Sequence, residues 1–297
     1  MNKLEKYRIK LRRFIVRSKK DGFLRTTKAG MNSAIYKNVK GYIDYKKFNN
    51  DYPQNIIFIA GFAKSGSTWI SNMFAELEGF DQYVLTRWQT RYAISWDDFI
   101  TTDLYPGCFQ EFDKRLAVIK GHTKGKKKNR KILQDLNMKY FVTVRDPRDK
   151  LISSYYYIKN NSAHWDFKKS KKLSLGEFIS YKLKSGEYEE QVIEWLRSWK
   201  NISDRNLMIL KYEDALNITT EFLMKSFNHL EINIPYEKAE QIAIKHSFQN
   251  LTGRQRGEED LSAFKRKGIS GEWKEIFTEE HRNLFSEIGE DVIEWRT

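Results

Sequence analysis

The chain has 297 residues, 40% hydrophobic and 14% aromatic, enough to bury the core of one large domain. Its formal net charge of +14 is unevenly spread: residues 1–50 hold 15 Lys and Arg against Glu5, Asp21 and Asp44, while the remainder carries 38 against 36. The excess is a basic arm rather than a nucleic-acid-binding domain, and the single cysteine, Cys108, excludes an internal disulfide and a cysteine-built metal site.

In the arm, Leu4, Tyr7, Leu11, Phe14 and Ile15 recur at helical spacing among Lys and Arg, the pattern of an amphipathic basic helix. Such a helix either packs its apolar stripe on the domain that follows or lies, through residues 1–20, on an anionic membrane surface. No apolar run approaches the roughly 20 residues of a membrane-spanning helix, and Phe14-Ile15-Val16 is too short for a signal core. A cytoplasmic location follows as the expectation, with peripheral membrane contact through the arm. Residues 1–50 are read as an extension and 51–297 as one domain, since no repeat or low-complexity linker divides them.

From residue 51 onward short apolar runs alternate with helical patterns. Asn55 to Ala60, Leu116 to Lys120, Tyr140 to Val144 and Leu207 to Lys211 are nearly continuous, as in strands buried on both faces of a parallel sheet. Ile70, Met73, Phe74 and Leu77 repeat at helical intervals and stop at Gly79, and Asp146-Pro147 reads as an N-cap with proline at the first helical position. Further helical patterns cover Leu175 to Lys184, Tyr188 to Trp199, Thr219 to Leu230, Tyr236 to His246 and Thr278 to Ile288. The fold class is α/β, a P-loop-like three-layer α/β/α arrangement around a central, mainly parallel sheet.

Three segments favour anions. In IAGFAKSGSTW, Gly61 and Gly66 lie between a strand and a helix, where free backbone N–H groups and the Ser67 and Thr68 hydroxyls suit a phosphate. A nucleoside triphosphatase loop places lysine directly after the second glycine; here that residue is Ser67, and Lys64 comes earlier. In the second segment Arg145 ends a strand and Ser153 lies two helical turns on, so a phosphate would meet a guanidinium fork and a hydroxyl. Arg148 and Asp149 are expected to make surface or capping contacts. The third segment holds the compact cationic turn Arg266-Lys267-Gly268.

AKSGSTW, RDPRDKLISSYY and RKGISGEWKEIFT resemble, in order and spacing, the signature segments of sulfotransferases that use 3′-phosphoadenosine-5′-phosphosulfate (PAPS), most closely the cytosolic type. The resemblance runs from about residue 54 to 290. It implies Lys64, Ser65, Gly66, Ser67 and Thr68 around the 5′-phosphosulfate, with Trp69 stacked on adenine. It implies Arg145 and Ser153 on the 3′-phosphate, joined by Arg266, Lys267 and Gly268. Tyr212, in LKYEDAL, would be a nucleotide contact, and Ser247-Phe248, in HSFQNL, would flank the adenine. The family's general base is a histidine just after a strand, which VIKGHTK supplies as His122, with Lys120 two residues before it. The implied reaction is in-line transfer of a sulfuryl group from PAPS to an acceptor hydroxyl, releasing 3′-phosphoadenosine-5′-phosphate (PAP). His122 takes the proton and Lys64 stabilises the departing oxygen. No carboxylate cluster calls for a metal.

Departures from the pattern bear on the acceptor. Ala63 stands where the family has proline, and TKGKKKNRK follows His122 in place of a leucine- and proline-rich segment that faces an apolar acceptor. A lysine-rich rim favours a polar or anionic acceptor: an acidic glycan, a glycolipid head group or a phosphorylated metabolite. Trp88, Tyr92, Trp96, Phe99, Tyr105 and Phe109 form either core or a platform for a sugar face. The family's C-terminal dimerisation segment is not recognisable, which leaves the oligomeric state open. Two alternatives stand beside the enzyme. A non-catalytic PAPS- or PAP-binding protein would keep the phosphate sites, whereas a P-loop kinase would need the lysine and an acidic metal partner that the sequence lacks.

Overall fold

The computed structural model describes residues 37–83, 85 and 103–295. The helical pattern at Leu4 to Ile15 and the residues Trp88, Tyr92, Trp96 and Phe99 lie outside them. Strands β1 (Ile56–Gly61), β2 (Asp81–Tyr83), β3 (Ala117–Gly121), β4 (Tyr140–Val144) and β5 (Leu207–Lys211) form a sheet in the order β2-β3-β1-β4-β5, every pair parallel. Every residue of β1 and β4 is buried, because helices cover both faces. Alternation sends Ile56, Phe58 and Ala60 of β1 into one apolar cluster and Ile57 and Ile59 into the other.

The helix α1, over residues 37–48, lays Tyr45 and Phe48 on the second cluster, so the last part of the stretch read as an extension packs on the domain. In α2 (Ser67–Phe74) the same cluster receives Ile70, Met73 and Phe74. The lysine-rich stretch after His122 forms a helix, α3 (Lys127–Asp135), because Asn129 and Leu133, four residues apart, are both buried on one side. Asp146 starts α4 (Pro147–Lys159) as the sequence indicates, its carboxylate accepting the Arg148 N–H at 2.9 Å. A reciprocal Ser174–Glu177 capping box opens α5 (Leu175–Lys184).

A π-helical turn, Glu189–Ile193, leads into α6 (Glu194–Trp199). Then come α7 (Tyr212–Asn217), α8 (Thr219–His229), α9 (Tyr236–Lys245), α10 (Phe248–Thr252), α11 (Trp273–Ile276) and α12 (Glu279–Gly289). Among the described residues no helix is long and apolar enough to cross a membrane.

From β1 the chain runs to the sheet edge at β2, returns through β3, then crosses to β4 and β5 on the other side. That reversal about β1 opens a crevice beyond the carboxyl ends of the strands. Register aligns those ends: Ala60 pairs with Gly121, Gly61 with Thr143 and Val144 with Lys211. The next residues along, His122, Arg145 and Tyr212, therefore emerge side by side.

At the end of β1 the packing is tightest around Gly61. A Cβ there would collide with Thr143 Oγ1 and lie 2.9 Å from Ser67 Cβ. Gly61→Ala is expected to cost about 1–3 kcal/mol, as overpacking does, read as a lower urea midpoint with an unchanged m-value. An unshifted midpoint would mean that the strands separate there without penalty.

Candidate active site

The loop between β1 and α2 turns on two left-handed residues, Lys64 at φ 68° and Gly66 at φ 85°. Gly66 adopts that conformation without penalty, and the space its Cβ would fill is taken by the Tyr212 ring. Lys64 adopts it at a cost of about 1–2 kcal/mol. The turn drives Ser65 inward: it is fully buried, its hydroxyl 2.8 Å from Thr143 Oγ1 and its N–H donating to the Phe62 carbonyl at 3.2 Å. Ser65, expected at the phosphosulfate, is thus a brace between the loop and β4. The first helical hydrogen bond of α2 runs from the Ile70 N–H to the Gly66 carbonyl at 3.0 Å, so earlier N–H groups point out of the helix end. Lys64, Gly66, Ser67, Thr68 and Trp69 line one side of a cavity of about 450 Å³.

Two further lining residues come from the end of β3. Lys120 Nζ donates to Thr68 Oγ1, and His122 Nδ1 bonds the carbonyl of Gly61. A carbonyl only accepts, so this contact places the neutral ring's proton on Nδ1 and the basic lone pair on Nε2. The bond follows from the register, which sets His122 beside the last residue of β1.

Arg145, at the end of β4, ties three segments together. Its Nη1 donates to the Lys64 carbonyl at 3.2 Å, Nη2 reaches the Ile269 carbonyl at 3.5 Å, and the guanidinium lies 4.3 Å from the centre of the Tyr212 ring. Its Nε is buried without a hydrogen-bond partner, and Ser153 of α4 lines the same wall. At the far end, Trp69 donates to the His246 carbonyl at 2.8 Å and meets Tyr212 edge to face with centroids 6.1 Å apart. Phe248 closes that end, so near to Gly268 that a Cβ at residue 268 would strike its ring. Ser247 does not line the cavity; its hydroxyl caps α10, accepting the Asn250 N–H at 3.2 Å.

Arg266, Lys267 and Gly268 line the cavity as expected, but both cations carry internal partners. Arg266 bonds Glu259 and forks onto Glu272, while Lys267 donates to Glu272 at 3.2 Å. The Arg266 guanidinium also lies 4.3 Å from the Tyr156 ring centre. Burial pushes the Glu272 pKa up, but the bonds and charges of Arg266 and Lys267 outweigh it and hold the carboxyl below its ordinary value.

Two acidic residues that hold this site together escape sequence reading. Asp149, expected in a surface or capping contact, is buried and accepts the N–H of Gly271 and, at 3.0 Å, that of Trp273, clasping the third segment onto α4. Burial raises its pKa, against the opposing charge of Arg145 and the two N–H donors. Glu213 accepts the Asp146 N–H at 3.0 Å and so fixes the start of α4; burial raises its pKa as well. Asp149's partners stand 122 and 124 residues away in the chain, so no local pattern marks it. Arg148 does make the expected capping contact, forking onto Asp146 at 2.9 and 2.7 Å.

The lysines expected to rim an acceptor site do not line the cavity. Lys126 and Lys128 pair with Asp103, at 3.4 and 2.6 Å, and Lys131 with Asp135 at 2.7 Å. Of the aromatic residues considered for a sugar platform, Tyr105 and Phe109 pack in the core, Phe109 edge to face with Phe58. Cys108 is a buried small side chain whose thiol is pushed up by burial to about 11.

Fold and cavity together define an α/β protein whose strand ends present cations, helix-end N–H groups and aromatic rings to one elongated anionic ligand. A family model described as "Sulfotransferase domain" matches residues 54–294, and the chain belongs to that family. Sulfotransferase 1A1 of Bos taurus is 25% identical over 170 residues, covering 52% of this chain and 55% of that protein. Sulfotransferase 1 family member D1 of Mus musculus is 28% identical over 164 residues, covering 50% and 52%. The chain thus spans about half the length of the curated relatives it matches.

A mouse sulfotransferase, SULT7A1, complexed with PAP superposes with a TM-score of 0.56 at 18% identity, covering 84% of this chain and 89% of that one. A retinol dehydratase in complex with androsterone and inactive cofactor PAP gives 0.55 at 18%, covering 86% and 87%. At that identity the likeness is one of fold.

Asp149→Ala is expected to leave two N–H groups unpaired at a cost of about 1–3 kcal/mol. Hydrogen exchange should quicken at Gly271 and Trp273 while the amides of β1 and β4 keep their protection. A uniform loss of protection would show that Asp149 supports the whole domain instead.

Proposed function

We propose that the chain transfers the sulfuryl group of PAPS to the hydroxyl of an acceptor. The observation that carries this reading is the pairing of Lys64 and His122 at one loop, with the His122 Nδ1 proton committed to the Gly61 carbonyl. PAPS supplies the sulfuryl group and leaves as PAP. Lys64, Gly66, Ser67 and Thr68 would hold the phosphosulfate, Trp69 and Phe248 the adenine, and Tyr212 the nucleotide between. Arg145, Ser153, Arg266, Lys267 and Gly268 would receive the 3′-phosphate. Glycines at 66 and 268, where a Cβ would collide with a ring, and the unpartnered Nε of Arg145 support a ligand pressed closely against backbone at both anionic ends.

His122 Nε2 takes the proton of the attacking hydroxyl, and the imidazolium that results keeps its Nδ1–H bond to the Gly61 carbonyl. Lys64 Nζ lies 4.0 Å from the Phe264 ring centre and 4.7 Å from that of Tyr157, so its positive charge is held in place beside the loop before any substrate arrives. Charge growing on the departing oxygen is met by that ammonium. Lys120 adds a second cation through the Thr68 hydroxyl. The acceptor is a hydroxyl compound approaching His122; the lysines of α3 give no reason to require that it be anionic.

Transfer of labelled sulfate from PAPS to a panel of phenols, alcohols and sugars tests the reading. His122→Ala should lower kcat by about 10²–10⁴ while PAP still binds with unchanged affinity. Loss of PAP binding in proportion to rate would remove His122 from the chemistry. Lys64→Gly should lose transfer yet raise stability by about 1 kcal/mol, since glycine takes the left-handed turn without strain. Lys64→Met should lose transfer without that gain, and a fully active Lys64→Gly enzyme would contradict the assignment.

A further inference from the structure

The cations along the third segment are not equivalent. Arg266 and Lys267 stand against Glu259 and Glu272, two positive charges with two negative ones, and the carboxylate of Asp149 similarly offsets Arg145. The groups expected to receive a phosphate thus contribute little net charge. A phosphate monoester brings about −1.5 to −2 at neutral pH, and that charge needs neutralising from elsewhere.

The loop just before Arg266 supplies it. Arg254 spends its guanidinium on three carbonyls, those of Glu258 at 2.9 Å and of Arg266 and Lys265 at 2.6 Å each, which draws the loop closed. The Gly257 N–H donates to the Lys267 carbonyl at 2.9 Å and the Asp260 N–H to that of Arg266 at 3.1 Å, so residues 256–260 lie alongside 265–267. Within this clasped loop Arg256 and Lys265 both line the cavity. Neither side chain has a hydrogen bond, ion pair or ring contact among the described residues. Lys265 is half-buried, so its stem is packed while its ammonium has no internal counter-charge.

We propose that Arg256 and Lys265 form an uncompensated cationic pair that binds the terminal phosphate of the nucleotide and sets the preference for a 3′-phosphorylated ligand over one that lacks it. The inference rests on the nucleotide reading above. It adds two residues that none of the three motifs contains in a phosphate-binding role, and it reverses the emphasis among the cations: Arg266 and Lys267 shape the site, and the loop pair charges it.

Calorimetry with PAP and with adenosine 5′-monophosphate, on the full chain and on Arg256→Gln, Lys265→Gln and the double variant, tests this. Each single substitution should weaken PAP binding about tenfold, as loss of a charge-assisted bond does, and leave the monophosphate within about twofold. The double variant should lose about a hundredfold in the ratio of the two affinities and respond less to added salt. Arg256→Lys should recover most of the PAP affinity. Unchanged PAP binding in the double variant would make both residues solvated loop charges, and equal losses for the two ligands would make them a general field; either result overturns the proposal. Failure of the unsubstituted chain to bind PAP would overturn the nucleotide reading itself, an outcome separate from any behaviour of the variants.

Discussion

Gly61 stands where β1, β4 and the start of α2 converge, and the absence of a side chain there lets all three approach. Its carbonyl receives the His122 N–H, and the residue is paired in the sheet with Thr143, whose hydroxyl in turn meets Ser65. Through these contacts one residue without a Cβ sets the position of the proposed base, the depth of the phosphate loop and the direction in which Lys64 leaves the chain. The parallel register then does the remaining alignment, because strands that end level put Arg145 and Tyr212 in the same plane as His122.

Around that frame the charges divide into those that hold the protein together and those that face the cavity. Asp149, Glu213 and Glu272 are carboxylates in service of the first task, each gripping backbone or a cation from a distant segment. Buried acids of this kind cost desolvation energy, visible in the raised pKa values of Asp149 and Glu213, and are tolerable because N–H donors meet them. The aromatic rings serve both tasks. Tyr212 backs Gly66, carries the Arg145 guanidinium and touches Trp69, so the nucleotide end of the cavity is rigid before a ligand enters.

Much of this was legible in the sequence because the signals were local. β1, β4 and β5 are apolar runs without competing patterns, and Asp146-Pro147 and Ser174-Leu-Gly-Glu177 announce helix starts through capping chemistry. The cavity-lining residues were legible through motif resemblance, from Lys64 to Gly268, except Ser65 and Ser247. Those two point away for reasons a motif does not state: Lys64 turns left-handed and buries its neighbour, and Ser247 is used as a cap. β2 was silent because three polar and aromatic residues on a sheet edge carry no period. α3 was hidden because its lysines mask a stripe of only Asn129 and Leu133. Asp149 was misjudged for the opposite reason, since a charged residue in a helix's first turn reads as surface unless its distant partners are known.

The account's central claim is that this cavity holds a nucleotide with phosphate at both its 3′ and 5′ ends. Thermal unfolding of the full chain with PAP, compared with ATP and Mg²⁺, tests that most directly. PAP at a hundredfold excess over its Kd should stabilise the native state by about 2.7 kcal/mol and raise Tm by several degrees, with ATP far less effective at the same concentration. A larger shift with ATP and Mg²⁺, or none with PAP at millimolar concentration, would contradict it.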